Sequence, residues 1–127
     1  MKPILLDSSA WIEFFADGPL ADSVGVHLKN PNNLIAPAIV IYEVYKKLKI
    51  AKGEELALEA IAQLAKAKPA PLTETIALLA ADISIARKLA MADAIVLATA
   101  QTFEARIVTL DSDFKNIPEA LVLSGKR

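Results

Sequence analysis

Cysteine is absent from this 127-residue chain, which excludes disulfides and thiolate metal sites and fits a reducing compartment. Histidine occurs once, as His27, too few for a zinc site built on nitrogen and sulfur ligands. No residue reads as a covalent nucleophile with an adjacent histidine base. Long apolar runs are missing too. Hydrophobic residues make up 54% of the chain and mean hydropathy is +0.40, but alanine carries much of both. The longest stretches, such as Leu34–Tyr42 and Ile76–Ala81, fall well short of the roughly 18 residues a membrane span needs. No basic segment with a cleavage site opens the chain, so a cytoplasmic location away from membranes is expected. Charge of one sign is also lacking. With a net charge of −1, any nucleic-acid partner must meet a local basic patch rather than a basic protein.

What is present reads as one domain spanning residues 1–127, with no repeat and no linker. Short apolar segments at Pro3–Leu6, Leu34–Ala36, Ala105–Leu110 and Ala120–Leu123 predict buried strands. Between them lie a helical turn over Ala10–Phe15, a weak helix over Leu20–Leu28 and a loop at residues 30–33. A helix from Pro37 to about Lys52 follows, with Pro37 in its first turn. Glu54–Lys66 predicts another helix, with Leu56, Ile61 and Leu64 as core contacts. Lys68–Leu72, holding Pro69 and Pro71, is a connector or an edge strand. Thr73 is a candidate cap for a helix whose apolar stripe is Ile76, Leu79, Ala80, Ile83 and Ala86. Ala92–Thr102 predicts the last helix. Short apolar strands alternating with helices imply an α/β fold with a parallel sheet covered on both faces. Ligands of such sheets bind outside the carboxyl ends of the strands.

That rule sorts the 15 acidic residues. Glu54, Glu55 and Glu59 suit the start of a helix. Glu13, Asp17, Asp22, Glu104 and Glu119 read as solvated surface or turn positions. Four others stand where apolar patterning predicts burial or a strand end. Asp7 ends the first strand, Glu43 interrupts "AIVIYEVYKKL", Asp93 sits inside "KLAMADAIVLATA" and Asp111 follows "RIVTL". Each has an ordinary structural role available: caps for Asp7 and Asp93, a turn for Asp111, and pairing of Glu43 with Lys46 or Lys47. Four carboxylates converging on one edge repel, however, and must protonate or find a cation. Mg²⁺ and Mn²⁺ are hard ions that take oxygen ligands, and such ions serve phosphodiester hydrolysis.

The stretches "ILLDSSAWIEFF", "IAPAIVIYEVYKKL", "MADAIVLATA" and "IVTLDSDF", in this order and spacing, resemble the PIN domain, and more closely the VapC-type toxins of toxin–antitoxin pairs. The resemblance covers essentially the whole chain. It implies a three-layer α/β/α fold with a short central parallel sheet. It also implies a Mg²⁺- or Mn²⁺-dependent endoribonuclease whose acidic quartet is Asp7, Glu43, Asp93 and Asp111. In that pattern Asp7 and Asp93 are the principal metal ligands, and Glu43 and Asp111 complete the pocket. Either Asp111 or Asp113 faces the metal, with Asp111 favoured. Ser8 and Thr109 stand where hydroxyls steady carboxylates or waters, which leaves Ser9 to cap the following helix. A homodimer and a cognate VapB-like antitoxin are the expected partners beside the RNA substrate.

Lys46, Lys47, Lys49 and Lys52 follow Glu43 on one helix, and Arg87 and Lys88 precede Asp93. Of these, Lys46, Lys47 and Arg87 are candidate phosphate contacts, with a solvated helix face as the alternative. Trp11, Tyr42 and Tyr45 suit packing better than base stacking. Two other functions remain open at this level: a metal- or partner-binding module without turnover, and a phospho-accepting receiver domain. A receiver needs paired acids after the first strand and a phospho-accepting Asp after a middle strand. Here Asp7 precedes Ser8-Ser9 and the middle strand ends in Ala36-Pro37. A phosphatase of the haloacid dehalogenase kind needs Asp-x-Asp at the first strand, which Asp7-Ser8-Ser9 does not supply.

Overall fold

In the computed structural model, which describes residues 2–124, the short apolar runs become the strands β1 (Ile4–Leu6), β2 (Leu34–Pro37), β4 (Arg106–Thr109) and β5 (Ala120–Val122). Lys68–Ala70 is β3, an edge strand carrying Pro69, a position where a missing N–H does least harm. The sheet order is β3-β2-β1-β4-β5 and every pair is parallel. Strand β1 is central, with Ile4 opposite Leu34 on one side and Leu6 opposite Val108 on the other.

Six helices join the strands: α1 (Ser8–Phe15) and α2 (Ala21–Gly25) after β1, α3 (Ala38–Lys52) and α4 (Glu54–Leu64) after β2, and α5 (Glu74–Arg87) and α6 (Met91–Phe103) after β3. The chain leaves β1 toward β2 and β3, then returns across the sheet to β4. Right-handed crossovers therefore put α1–α4 on one face and α5–α6 on the other, the three-layer α/β/α arrangement. The same reversal makes the gap between β1 and β4 the switch point of the sheet, where parallel α/β folds hold ligands.

The core explains the alanine content. Residues 94–100 of α6 are all buried, so this helix is apolar all round, as a helix sunk between layers must be. In α4 the fully buried positions are Ala57, Ala60 and Leu64, whereas Leu56 and Ile61 are only half-buried. Alanine lets α3 and α4 approach closely, which turns the larger side chains outward. Among the stripe residues of α5, Ile76, Ala80 and Ile83 are buried and Ala86 is exposed. Thr73 caps this helix as expected, accepting from Ile76 N at 3.2 Å. Pro37 ends β2 and stands just before α3 rather than inside it. Gly53 separates α3 from α4 at φ 102°, a conformation that glycine adopts without strain.

Several expectations change. Leu20–Leu28 is a short α-helix followed by a 3₁₀ turn at Val26–Leu28, and Pro31–Asn33 forms a second such turn. Glu13 is not a free surface group: its Oε2 accepts from Leu20 N at 2.7 Å, fastening the turn before α2. Glu119 is half-buried and bonded to Gln101 Nε2 at 3.3 Å. Trp11 is 2% exposed and stacks on Phe15 at 5.9 Å. Among the described residues no helix is long and apolar enough to cross a membrane.

Candidate metal centre at the carboxyl edge of the sheet

Strand β1 delivers Asp7 to the switch point. Asp7 is 6% exposed, and burial of a carboxylate requires donors. Three reach it. Ser9 Oγ donates to Oδ1 at 2.7 Å, Ala10 N to Oδ1 at 3.1 Å and Thr109 Oγ1 to Oδ2 at 2.5 Å. The bond from Ala10 N makes Asp7 the N-cap of α1, so the structural role open to it in sequence is filled by Asp7 and not by Ser9. Burial pushes the Asp7 pKa up, the three donors pull it down, and the Asp111 charge raises it. Ser8 steadies a different carboxylate, that of Glu43. Its hydroxyl donates to Glu43 Oε1 at 2.9 Å, holding the α3 carboxylate against the start of α1.

Strand β4 supplies the opposite side. Thr109 is fully buried; besides donating to Asp7, it accepts from Asp111 N at 2.9 Å. Asp111 then caps the 3₁₀ turn Ser112–Phe114, accepting from Asp113 N at 2.9 Å. Phe114, fully buried, anchors that turn in the core. From α6, Asp93 enters in the first helical turn, where the helix dipole favours an anion. Ala90, not Asp93, occupies the N-cap.

Asp93, Asp111 and Asp113 each offer a carboxylate oxygen within 4.8 Å of the other two. Asp7 and Glu43 lie outside that tight group, yet both act on it. Asp93 is pushed up to about 6, first by burial, then by the charges of Asp111, Asp113, Asp7 and Glu43. Five carboxylates thus share one edge, and each of the other four disfavours ionisation of Asp93. The donor set fits a hard divalent cation: it is all oxygen and in charge excess. Lys46, Lys47 and Arg87 stay on the surface. Lys46 lies over the Tyr42 ring at 5.5 Å and donates to its hydroxyl at 3.3 Å.

The PIN domain family matches residues 4–120. This chain belongs to the PIN domain family. No curated protein matches its sequence. Among solved structures, a toxin–antitoxin complex from Klebsiella pneumoniae is similar at 25% identity and TM-score 0.78, covering 94% of this chain and 96% of that one. VapC20 of Mycobacterium tuberculosis, a sarcin-ricin loop cleaving toxin, matches at 18% identity and TM-score 0.75, with 91% and 95% covered. A DNA-bound VapBC from Salmonella typhimurium matches at 15% identity and TM-score 0.72, with 97% and 98% covered. At these lower identities the likeness concerns the fold.

Within this PIN fold, sequence reasoning named Asp7, Glu43, Asp93 and Asp111 and kept Asp113 as the alternative to Asp111; the structure brings Asp93, Asp111 and Asp113 together, with Asp7 and Glu43 outside that group. The bond from the Ser9 hydroxyl to Asp7 was missed, because Ser9 reads in the sequence as the cap of the following helix. The available signal was spacing: a side chain two residues after an N-cap can turn back onto the capping carboxylate.

Proposed function

We propose that this PIN domain is a divalent-metal-dependent endoribonuclease, the toxin of a VapBC-type pair, with Mg²⁺ or Mn²⁺ as its ion. The observation that carries the proposal is the convergence of Asp93, Asp111 and Asp113, with Asp7 and Glu43 in electrostatic reach. That charge excess is costly without a cation and useful with one. In this reading Asp7, Asp93 and Asp111 hold the ion with Asp113 beside them, and Glu43 takes part in the acidic pocket. The divalent ion supplies Lewis acidity and neutralises charge on the scissile phosphate.

The chain's own residues do the rest. Ser8 fixes the Glu43 rotamer through its 2.9 Å bond, so that Glu43 is aimed to accept a proton from an attacking water. Thr109 holds Asp7 and Asp111 in fixed relation, which is the positioning that in-line phosphoryl chemistry requires. Lys46, Lys47 and Arg87 contact flanking phosphates, offsetting the acidic pocket's repulsion of RNA. The similar chains occur in toxin–antitoxin and VapBC complexes, which supports an antitoxin as partner. Exposed Leu78, Ile85 and Met91 give a second copy an apolar surface to cover.

The test is cleavage of a structured RNA by antitoxin-free protein. Fragments are expected in Mg²⁺ or Mn²⁺ and none in EDTA, and an Asp7→Asn variant should cut far more slowly. Equal cutting by wild type and variant, or undiminished cutting in EDTA, would contradict the proposal.

A further inference from the structure

An ionised carboxylate offers about four lone-pair positions, two on each oxygen. At Asp7 three are taken. Oδ1 accepts from Ser9 Oγ at 2.7 Å and from Ala10 N at 3.1 Å, so it is saturated. Oδ2 accepts from Thr109 Oγ1 alone. Proton counting agrees with this assignment. The Ser9 hydroxyl has one hydrogen, spent on Asp7, while its oxygen accepts from Leu110 N at 2.9 Å. Thr109 likewise donates to Asp7 and accepts from Asp111 N. The contact between Ser9 Oγ and Thr109 Oγ1, 3.2 Å long, is then left without a hydrogen of its own. Ser9 therefore ties the end of β1 to Leu110, the residue that follows Thr109 at the end of β4.

We infer that Ser9 is a positioning residue of the metal centre: its hydroxyl saturates Asp7 Oδ1, leaving Oδ2 as the one atom Asp7 can offer a divalent cation. This rests on the metal-dependent reading above. Asp7 would then offer the ion a single oxygen, and Asp93 and Asp111, with Asp113 beside them, would hold the rest. Removing the Ser9 hydroxyl leaves Oδ1 with Ala10 N as its one donor and strands Leu110 N without its acceptor. The carboxylate is then held by one donor fewer, and of the two hydroxyls that link the end of β1 to β4 only Thr109 remains. Residues that orient metal ligands in this way typically carry a 10–100-fold share of metal affinity.

The experiment is Mn²⁺ titration of the full chain by calorimetry, with wild type, Ser9→Ala and Ser9→Thr. S9A is expected to weaken binding by about 10-fold or more, and S9T, which keeps the hydroxyl, to restore it to near the wild-type Kd. Equal Mn²⁺ affinity in wild type and S9A overturns this inference alone, whereas a wild type that binds no Mn²⁺ overturns the metal reading with it. Should S9A fail to fold, amide hydrogen exchange of the wild type gives the answer. The Leu110 N–H is expected to be protected without metal and to stay protected in Mg²⁺, because the ion takes Oδ2. Loss of that protection on adding Mg²⁺ would mean that Ser9 has left its place, and would overturn the inference.

Discussion

Asp93→Asn is expected to lower metal-dependent RNA cleavage on the order of 10³-fold, since a bound divalent ion contributes several kcal/mol to such a transition state. The same variant should melt at a higher temperature than wild type at pH 7.5 without metal. The sign follows from the raised Asp93 pKa of about 6, set by burial and four neighbouring carboxylates. The unfolded chain releases this proton near the ordinary value of 3.8. Between roughly pH 4 and pH 6 the native state thus binds a proton that the unfolded state has lost, and stability falls as pH rises. Above pH 6 the cost is fully present. Asparagine never carries the charge, so D93N should lose this descending limb. Excess Mg²⁺ should raise the wild-type melting temperature and leave D93N almost unmoved. Thermal melts from pH 4 to 8, with and without Mg²⁺, check each part; a wild type more stable at pH 7.5 than D93N without metal would contradict it.

Phe114→Ala is expected to cost about 3–5 kcal/mol, the usual range for truncating a fully buried phenylalanine, lowering the melting temperature by roughly 10–20 °C. Phe114 is fully buried and closes the turn that Asp111 begins, with its N–H donating to Asp111 O at 3.1 Å. Its loss should therefore damage the site as well as the core, since Asp111 and Asp113 stand in the turn that Phe114 anchors. Phe114→Leu keeps most of the volume and should cost less than about 1.5 kcal/mol, with metal affinity largely kept. Denaturant melts and Mn²⁺ titration of both variants separate the two effects. Near-wild-type stability in F114A would show that the turn is held by something other than this side chain.

The architecture was legible because its signals are strong ones. Ile4–Leu6 is short, apolar and followed at once by Asp7, and Ile107–Leu110 is followed by Asp111, which marks a buried strand and its carboxyl end together. Asp93 stood out because α6 is otherwise apolar on all sides. Two kinds of detail were not legible. Around Asp7 the chain changes from strand to helix, so the side-chain period switches from 2 to 3.6, and sequence parity cannot say that Ser8 faces Glu43 while Ser9 faces Asp7. In α4, Leu64 is buried and Leu56 packs against the core as expected, but Ala57 and Ala60 are buried more deeply than Leu56 and Ile61, because close helix approach is set by the partner helix and not by local pattern. Glu13 was misjudged for a related reason: its acceptor role depends on a turn that brings Leu20 N back to it. The convergence of Asp113 with Asp93 depends on a 3₁₀ turn too short to show periodicity.

The most direct test of the account is anomalous diffraction from crystals of the full chain grown or soaked with Mn²⁺. One strong peak is expected between the carboxylates of Asp93, Asp111 and Asp113, on the side of Asp7 Oδ2. No peak at that edge under saturating Mn²⁺, or a peak elsewhere on the chain, would contradict the assignment of this edge as the metal centre.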